Sequence, residues 1–190
     1  MKMLIVGVVV AITVGGSGAA CAQSGGVGTA TLPMPVVLVD SAGKIAARAL
    51  NDTMMLITVQ PGVVAPAFIH PIYDADGRAA SGLATWTSDG SVLFTSVDCT
   101  SGAHIFSSTH AGARATSQIE TPAGTILFVG AIGTATTKLV RSILYGNGCS
   151  PVTVQQNGLI PVITTVNLTT AYPPPLSLQS SGFVPASASY

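Results

Sequence analysis

Short apolar runs alternate along this chain with tight turns that contain glycine. Each run leads into such a turn, and a second apolar or β-branched run follows it. The turns require positive φ, which Gly and Asn adopt at low cost, so each unit predicts a β-hairpin. Because the turn glycines are unevenly spaced, a series of hairpins is favoured over a solenoid repeat. The four predicted turns are residues 40–43 after 36–39, 74–77 after 68–73, 88–90 between 85–87 and 91–97, and 156–158 between 151–155 and 159–166.

Further strands are expected at residues 54–59, 103–108, 125–129, 44–50 and 138–145. The last two segments are also compatible with short helices on the spacing of their apolar residues alone. Their β-rich surroundings favour strands, as does a composition dominated by β-branched residues with Gly and Pro between the runs. The sequence therefore predicts an all-β fold, either an antiparallel β-sandwich or a small barrel, with roughly 8–10 short strands.

The first 22 residues have the three parts of a secretory signal peptide. One lysine, the only charge in the first 39 residues, precedes an apolar run of 12 residues and then a stretch of small residues. The A-x-A site at Ala20-Cys21-Ala22 predicts cleavage that leaves Gln23 first. A membrane anchor is the alternative, but a helix needs about 20 apolar residues to span the hydrocarbon core.

Cys21 leaves a second route of processing open. A lipoprotein signal also ends in small residues before a cysteine, but it usually carries a bulky apolar residue three positions upstream. Here that position is Gly18. We therefore expect an exported protein, periplasmic or extracellular, with a lipoprotein as the alternative. Association with a membrane is expected only if Cys21 is lipidated.

The remainder of the chain is predicted to form one β domain. Removing residues 1–22 from 190 leaves 168, which is enough chain for one domain with a substantial core. Residues 23–31 are small and predict a flexible lead-in, followed by a single β domain at 32–176. Prolines at 173–175 cannot donate to a sheet. Residues 177–190, rich in Ser, Pro, Ala and Gly, are expected to form a disordered tail.

The low charge of the chain limits its partners. Charged residues make up 7% of the sequence, against roughly 25% in average soluble proteins. No basic patch is present to neutralise phosphates, so nucleic-acid binding is not expected. No Gly-rich phosphate loop opens a helix, so nucleotide binding is not expected either. No cofactor is predicted, and these patterns do not identify a partner.

Cys99 and Cys149 remain after cleavage of the signal. Two cysteines in an oxidising compartment most simply form one disulfide, which here would close a loop of about 50 residues. Two buried free thiols or a metal site are the alternatives. A metal site is disfavoured because the chain has no C-x-x-C motif, and nothing near Cys149 matches His104, which lies five residues from Cys99.

Residues 74–77 resemble the opening of a calcium loop. Such a loop ends with Glu at its twelfth position, which is Thr85 in this chain. Asp and Gly in this order are also typical of a hairpin turn. The turn is the favoured interpretation, and no metal-ligating residues are predicted.

Asp98, His104 and His110 are the only clustered titratable residues of the mature chain. On one strand the two histidines would share a face, because their numbers differ by an even amount. Ser107 or Ser108 would then have to supply a nucleophile. The mature chain has no G-x-S-x-G motif, and no triad signature accompanies these residues. We therefore predict no catalytic residues.

Four short motifs together resemble a group of uncharacterised exported bacterial β-rich proteins. In that group a strand ending in D-C-x-G and a later G-x-C supply a cysteine pair. The first motif departs slightly here, with Thr100-Ser101 before Gly102. The resemblance implies a β fold and a Cys99–Cys149 pair, and it implies no activity. The motifs are V-D-S-A-G-K at 39–44, F-T-S-V-D-C-T-S-G at 94–102, Y-G-N-G-C at 145–149 and P-P-L-S-L at 174–178.

These observations predict an exported non-enzymatic β-domain with a structural, adhesive or binding role. Two alternatives stay open. One is a small secreted hydrolase that uses the region of His104 and His110. The other is an outer-membrane β-barrel, which needs strands of about 9–11 residues with apolar outer faces and aromatic girdles. The apolar runs here are shorter, and 12 prolines interrupt the chain.

Overall fold

Antiparallel β structure dominates the described part of the chain. The computed structural model describes residues 35–107, 114–146 and 148–180. The predicted all-β fold is confirmed, with twelve strands and a single helical turn, α1 (Leu168–Ala171), within these ranges. The strands are β1 (Val36–Val39), β2 (Ile45–Ala49), β3 (Met54–Gln60), β4 (Val63–Tyr73), β5 (Ala79–Trp86), β6 (Val92–Phe94), β7 (Ala103–Phe106), β8 (Thr116–Thr121), β9 (Gly124–Gly130), β10 (Thr136–Tyr145), β11 (Gly148–Asn167) and β12 (Leu176–Ser180).

Six strands close into a barrel. Strands β1 to β5 pair in chain order, and β12 inserts between β5 and β1 to complete the ring. Apolar side chains fill the interior, because alternate residues of each strand point inward. Leu38, Met55, Ile57, Ala65 and Leu176 are all fully buried there. The interior of the barrel is therefore a packed core.

Two hairpins of the barrel end in the same five-residue turn, starting at Asp40 and at Asp74. In each turn the Asp N–H donates to the carbonyl four residues on at 2.9 Å, and the turn glycine donates to the Asp carbonyl at 3.0 Å. One carboxylate oxygen of each Asp accepts from two further backbone N–H groups. The hairpins predicted at 40–43 and 74–77 are confirmed.

The other strands form a second antiparallel sheet. Its order is β10-β6-β7-β11-β9-β8, and β10 also pairs with β11. The first four strands therefore make a closed ring of pairings, while β9 and β8 continue from the C-terminal part of β11. Segments 44–50 and 138–145, which could have been helices on spacing alone, contribute strands β2 and β10, so the strand interpretation is confirmed.

Strand β9 contributes to two of the three hydrophobic clusters of the described residues. Leu127 and Val129 pack in the core of the barrel, whereas Phe128 packs with Ile105 and Ile119 in the core of the second sheet. Successive side chains of a strand point to opposite faces. Both faces of β9 are therefore covered, and the strand joins the barrel to the second sheet.

The turn at residues 88–90 connects the two sheets instead of closing a hairpin. Strand β5 pairs with β4 and β12, whereas β6 pairs with β7 and β10. Asp89 forms an isolated bridge with Gln118 of β8. The hairpin predicted here is wrong, because a turn signal marks a change of direction and does not specify which sheet the next strand joins.

The hairpin predicted at 156–158 is also wrong, because β11 runs through this segment as one strand of 20 residues. Between the pairs Thr136↔Leu159 and Lys138↔Gln156 the register shifts by one residue. Gly158, with φ of +78°, lies in this irregularity. A glycine with positive φ serves a β-bulge as well as it serves a turn, so the same signal had two structural meanings.

The predicted tail is corrected at its start. Residues 177–180 belong to β12, which pairs with β1 from Val39↔Ser177 to Val36↔Ser180. The segment leaves the proline run with Leu176 and Leu178 at alternate positions, and both pack against the barrel core. Residues 181–190 lie outside the described residues. So do the predicted signal, its cleavage residues Ala20, Ala22 and Gln23, Cys21, and the lead-in at 23–31.

No helix within the described ranges has the length and hydropathy needed to cross a membrane.

Candidate functional site

Asp98 and His104, two of the residues that the sequence singled out for chemistry, lie on or beside the loop between β6 and β7, called here the Cys99 loop (residues 95–102). Its ends are joined by a hydrogen bond of 3.2 Å from the Thr95 N–H to the Gly102 carbonyl. Ser96 Oγ accepts from the backbone N–H groups four and five residues on, both at 3.1 Å. A Cβ at Gly102, whose φ is +69°, would collide with the Thr95 side chain. The loop therefore requires glycine at this position.

Cys99 has a left-handed backbone conformation with φ of +56°, the only non-glycine residue with positive φ in the described ranges. Its N–H donates to Oγ of Ser142 at 3.0 Å. The same hydroxyl donates to the carbonyl of Ser96 at 2.7 Å. Ser142 is fully buried on β10, so it anchors the Cys99 loop to the neighbouring strand. The sequence around Ser142 does not indicate which backbone groups its hydroxyl would bind, so sequence analysis missed this role.

The predicted disulfide between Cys99 and Cys149 is confirmed. The two residues are 50 positions apart in sequence, and their Cα atoms are 6.0 Å apart. Cys149 lies near the start of β11, opposite Leu144 of β10. The bond therefore ties the Cys99 loop to the hairpin of β10 and β11. Its presence is consistent with an oxidising, exported location.

Asp98 and His104 each have a partner inside the Cys99 loop. The exposed carboxylate of Asp98 accepts from the Thr100 hydroxyl at 2.7 Å. His104 is buried on β7, and its Nδ1 lies 2.8 Å from the Gly102 carbonyl. Because a carbonyl only accepts, Nδ1 carries a proton. Both side chains therefore support the loop.

The remaining candidates for chemistry are only partly described. Ser107 follows β7, and its N–H donates to the Gly158 carbonyl at 2.8 Å. Ser108 and His110 lie outside the described residues. The described residues contain no group of three or more His, Cys, Asp or Glu side chains arranged to hold a metal ion.

We predict that Asp98 titrates below its ordinary range. Hydrogen bonds from the hydroxyls of Thr100, the larger contribution, and Ser96 lower the pKa of the exposed Asp98 carboxyl. A lowered pKa stabilises the fold above the pKa of unfolded Asp, and this contribution is lost as the pH falls through the folded value. An NMR titration should show the pKa of Asp98 moving up in Thr100→Val. The matched variant Thr153→Val, at an exposed position of β11, should leave it unchanged. An equal Asp98 pKa in all three proteins would contradict the assignment.

We predict that loss of the disulfide destabilises the domain. The double variant Cys99→Ser, Cys149→Ser frees a loop of about 50 residues in the unfolded chain, which lowers the free energy of unfolding by about 2–5 kcal/mol. Urea unfolding measures the change, and reduced wild-type protein should show a similar loss. If the unfolding midpoints of oxidised wild type and the double variant coincide, the cross-link does not constrain the unfolded chain as proposed.

A groove of about 540 Å³ lies on the outside of the barrel and is called here the barrel groove. Ala46 and Ala47 of the lining are both buried, whereas their larger neighbours Ile45 and Val64 are exposed. The volume falls in the range of small-molecule sites. The lining residues are Ile45, Ala46, Ala47 and Arg48 of β2, Leu56 and Thr58 of β3, Val64 of β4, and Tyr172 after α1.

Tyr172 is held in place beside the groove by the single tryptophan and by a lysine. The Trp86 indole N–H donates to the Tyr172 carbonyl at 3.0 Å, and the two ring centroids are 6.5 Å apart. On the side of β2, Lys44 Nζ lies 4.4 Å from the Tyr172 ring centroid and 3.4 Å from the Ala171 carbonyl oxygen. A cation over an aromatic face is attracted to it, so the position of Tyr172 is fixed from two directions.

The barrel groove carried no recognisable signal in the sequence. Its residues come from three strands and the segment after α1, and Tyr172 reaches β2 only because β12 closes the barrel. Among the lining residues that the structure describes, Arg48 alone is charged.

No protein-family model, curated protein or solved structure matches this chain.

Proposed function

We propose that this protein is an exported, non-enzymatic β-domain, and that among structural, adhesive and binding roles its role is binding. The barrel groove carries this proposal. It is a preformed depression, and the described residues that line it are mostly apolar, with one arginine and no His, Cys, Asp or Glu. Such a lining can hold a ligand, and it lacks the paired acid and base that hydrolytic chemistry requires.

The Cys99 loop supports the same proposal. Asp98 accepts from Thr100, and His104 donates through Nδ1 to Gly102, so the described hydrogen bonds of both side chains are made within the loop and none joins either of them to a candidate nucleophile. A catalytic histidine is instead expected within hydrogen-bond reach of its nucleophile and oriented by a third group. The chemistry-bearing residues of this region therefore fit a structural role better than a hydrolytic one.

Export is proposed from the signal sequence together with the disulfide. Expression in a bacterium with a periplasm, followed by osmotic shock and intact mass measurement, tests it. We expect release without detergent of a chain that begins at Gln23, carries no lipid and contains one disulfide. A species that retains Cys21 with acyl chains would support the lipoprotein alternative. Extraction only by detergent, without acyl chains, would support the outer-membrane alternative.

The absence of catalysis is tested by a screen of the purified mature protein on esters, peptides and glycans. We expect no turnover above that of buffer. An activity that is lost in His104→Ala or in His110→Ala, while the variant keeps its cooperative unfolding, would overturn the non-enzymatic proposal in favour of the hydrolase.

A further inference from the structure

We infer that the barrel groove binds a free single-chain amphiphile with an anionic head group, such as a long-chain carboxylate. The inference rests on the proposed binding function and names its ligand class. Three features of the groove lead to it: an apolar floor, a cationic end, and an aromatic wall that is fixed from outside the groove.

The floor and sides of the groove match an alkyl chain. Ala46 of the lining is buried, while Ile45 and Val64 are each nearly half exposed. Leu56 continues the apolar surface on β3, opposite Arg48 in the strand register. Covering exposed apolar side chains is favourable by about 25 cal/mol per Å² of apolar surface. An extended alkyl chain along the strands would cover them without changing the fold.

Arg48 of β2 supplies the charge of the groove lining, and Lys44, just before β2, lies next to Tyr172. Arg48 is exposed in the lining, and Lys44 lies four residues earlier on the edge formed by Tyr172. The Asp40 carboxylate, which precedes Lys44, is buried and accepts hydrogen bonds from its own turn. None of the described residues that line the groove is acidic. An anionic head therefore has a guanidinium available for charge-assisted hydrogen bonds.

The separation of the apolar lining from the charged Arg48 determines the ligand class. Arg48 is paired with Leu56 across β2 and β3, and Thr58, which is paired with Val64 of β4, lies two residues or about 7 Å further along β3. A ligand with one charged end and one apolar body fits this arrangement. An acidic polymer would leave the apolar floor without a complement, and a neutral alkane would leave Arg48 without one.

The protein contains its own reporter for binding. Trp86 is the single tryptophan of the chain, and its indole is hydrogen-bonded to Tyr172, which lines the groove. A ligand that contacts Tyr172 is expected to change the fluorescence of Trp86. Isothermal calorimetry supplies an independent affinity.

The experiment uses the disulfide-bonded chain and three twelve-carbon probes below their micelle concentrations: dodecanoate, dodecanol and dodecyltrimethylammonium. We expect saturable binding of dodecanoate at the highest affinity, weaker binding of dodecanol and no binding of the cation. Arg48→Gln should weaken the binding of dodecanoate by about tenfold and leave the affinity for dodecanol unchanged, because the variant loses only the charge-assisted hydrogen bonds.

Val64→Glu is a second variant. Val64 is exposed, so the substitution does not place a charge in the buried core. It should weaken the binding of dodecanoate at least as much as Arg48→Gln does, because the introduced carboxylate repels the carboxylate of the ligand. Arg78→Gln, in the exposed β4–β5 turn outside the groove, is the matched control and should bind as wild type.

Three results would overturn the inference: dodecanol binding as tightly as dodecanoate, dodecanoate affinity unchanged in both Arg48→Gln and Val64→Glu, or no binding of any probe. None of them depends on catalysis. The non-enzymatic proposal fails separately, through an activity that disappears in His104→Ala or His110→Ala.

Discussion

A chain that ends at Pro175 is expected not to fold, because it lacks β12. That strand supplies Leu176 to the barrel core, where it is fully buried, and pairs with both β1 and β5. Loss of one buried leucine side chain costs about 2–5 kcal/mol, and the truncation also leaves the facing edges of β1 and β5 without partners. The sum approaches the whole stability of a typical domain, about 5–15 kcal/mol. Circular dichroism and thermal unfolding of the truncated protein test whether it folds.

Two matched proteins separate the role of β12 from that of the residues after it. A chain ending at Ser180 keeps β12 and should unfold at the wild-type temperature, in line with the disordered tail predicted for the last residues. Leu176→Ala in the full chain keeps the strand pairings and should lose about 2–5 kcal/mol. Cooperative unfolding of the Pro175 chain near the wild-type temperature would show that the barrel does not need its sixth strand.

The hairpins of the barrel could be predicted because their signals are local. In the turns at Asp40 and Asp74 the carboxylate, the glycine and the residues that they bond all lie within five positions of one another. The chemistry of such a turn is contained in its own short sequence. The same reasoning explains why the ambiguous segments at β2 and β10 were assigned correctly from their β-rich surroundings.

Non-local pairing could not be predicted in the same way. Gly158 marks a bulge because β10 pairs along one part of β11, whereas β7 and β9 pair further along it. A twenty-residue strand with three partners has no distinct pattern in its own residues. The strand at Leu176 was missed for a related reason, since its partner β1 lies about 140 residues earlier in the chain.

The disulfide could be predicted from the expected oxidising compartment and the number of cysteines in the mature chain, but the rest of the described site could not. Cysteines that pair in an oxidising environment need no knowledge of the fold. Ser142 and Arg48, in contrast, acquire their roles only when β10 meets the Cys99 loop and when β2 meets Tyr172. Both residues look like ordinary members of a strand in the sequence.

Gln118 is the polar residue whose replacement is expected to destabilise the protein most. It is fully buried on β8, and its side chain bonds both backbone groups of Phe68 on β4 of the barrel. Oε1 accepts from the Phe68 N–H at 2.9 Å, and Nε2 donates to the Phe68 carbonyl at 2.8 Å. The backbone of Gln118 also exchanges two hydrogen bonds with Asp89 in the segment that connects the sheets. This one residue therefore links the second sheet both to the barrel and to the segment that connects the two sheets.

Gln118→Ala should lower the free energy of unfolding by about 2–5 kcal/mol, because it leaves the buried Phe68 N–H without this partner and opens a cavity. Gln179→Ala is the matched control: it removes an exposed glutamine side chain that donates to the Ser177 hydroxyl, and should change stability little. Urea unfolding of both variants measures the difference. A loss in Gln118→Ala no larger than that in Gln179→Ala would show that the link between the sheets contributes nothing measurable.

Gln118→Glu tests the hydrogen-bond pattern itself through pH. A protonated carboxyl can accept from the Phe68 N–H and donate to its carbonyl as the amide does, whereas an ionised carboxylate can only accept. Burial raises the pKa of the introduced Glu above its value in the unfolded chain. The folded state then binds more protons than the unfolded state between the two pKa values, so the variant gains stability relative to wild type as the pH falls through the folded value. A constant difference between variant and wild type from neutral to acidic pH would contradict the two bonds to Phe68 as the reason that position 118 needs an amide side chain.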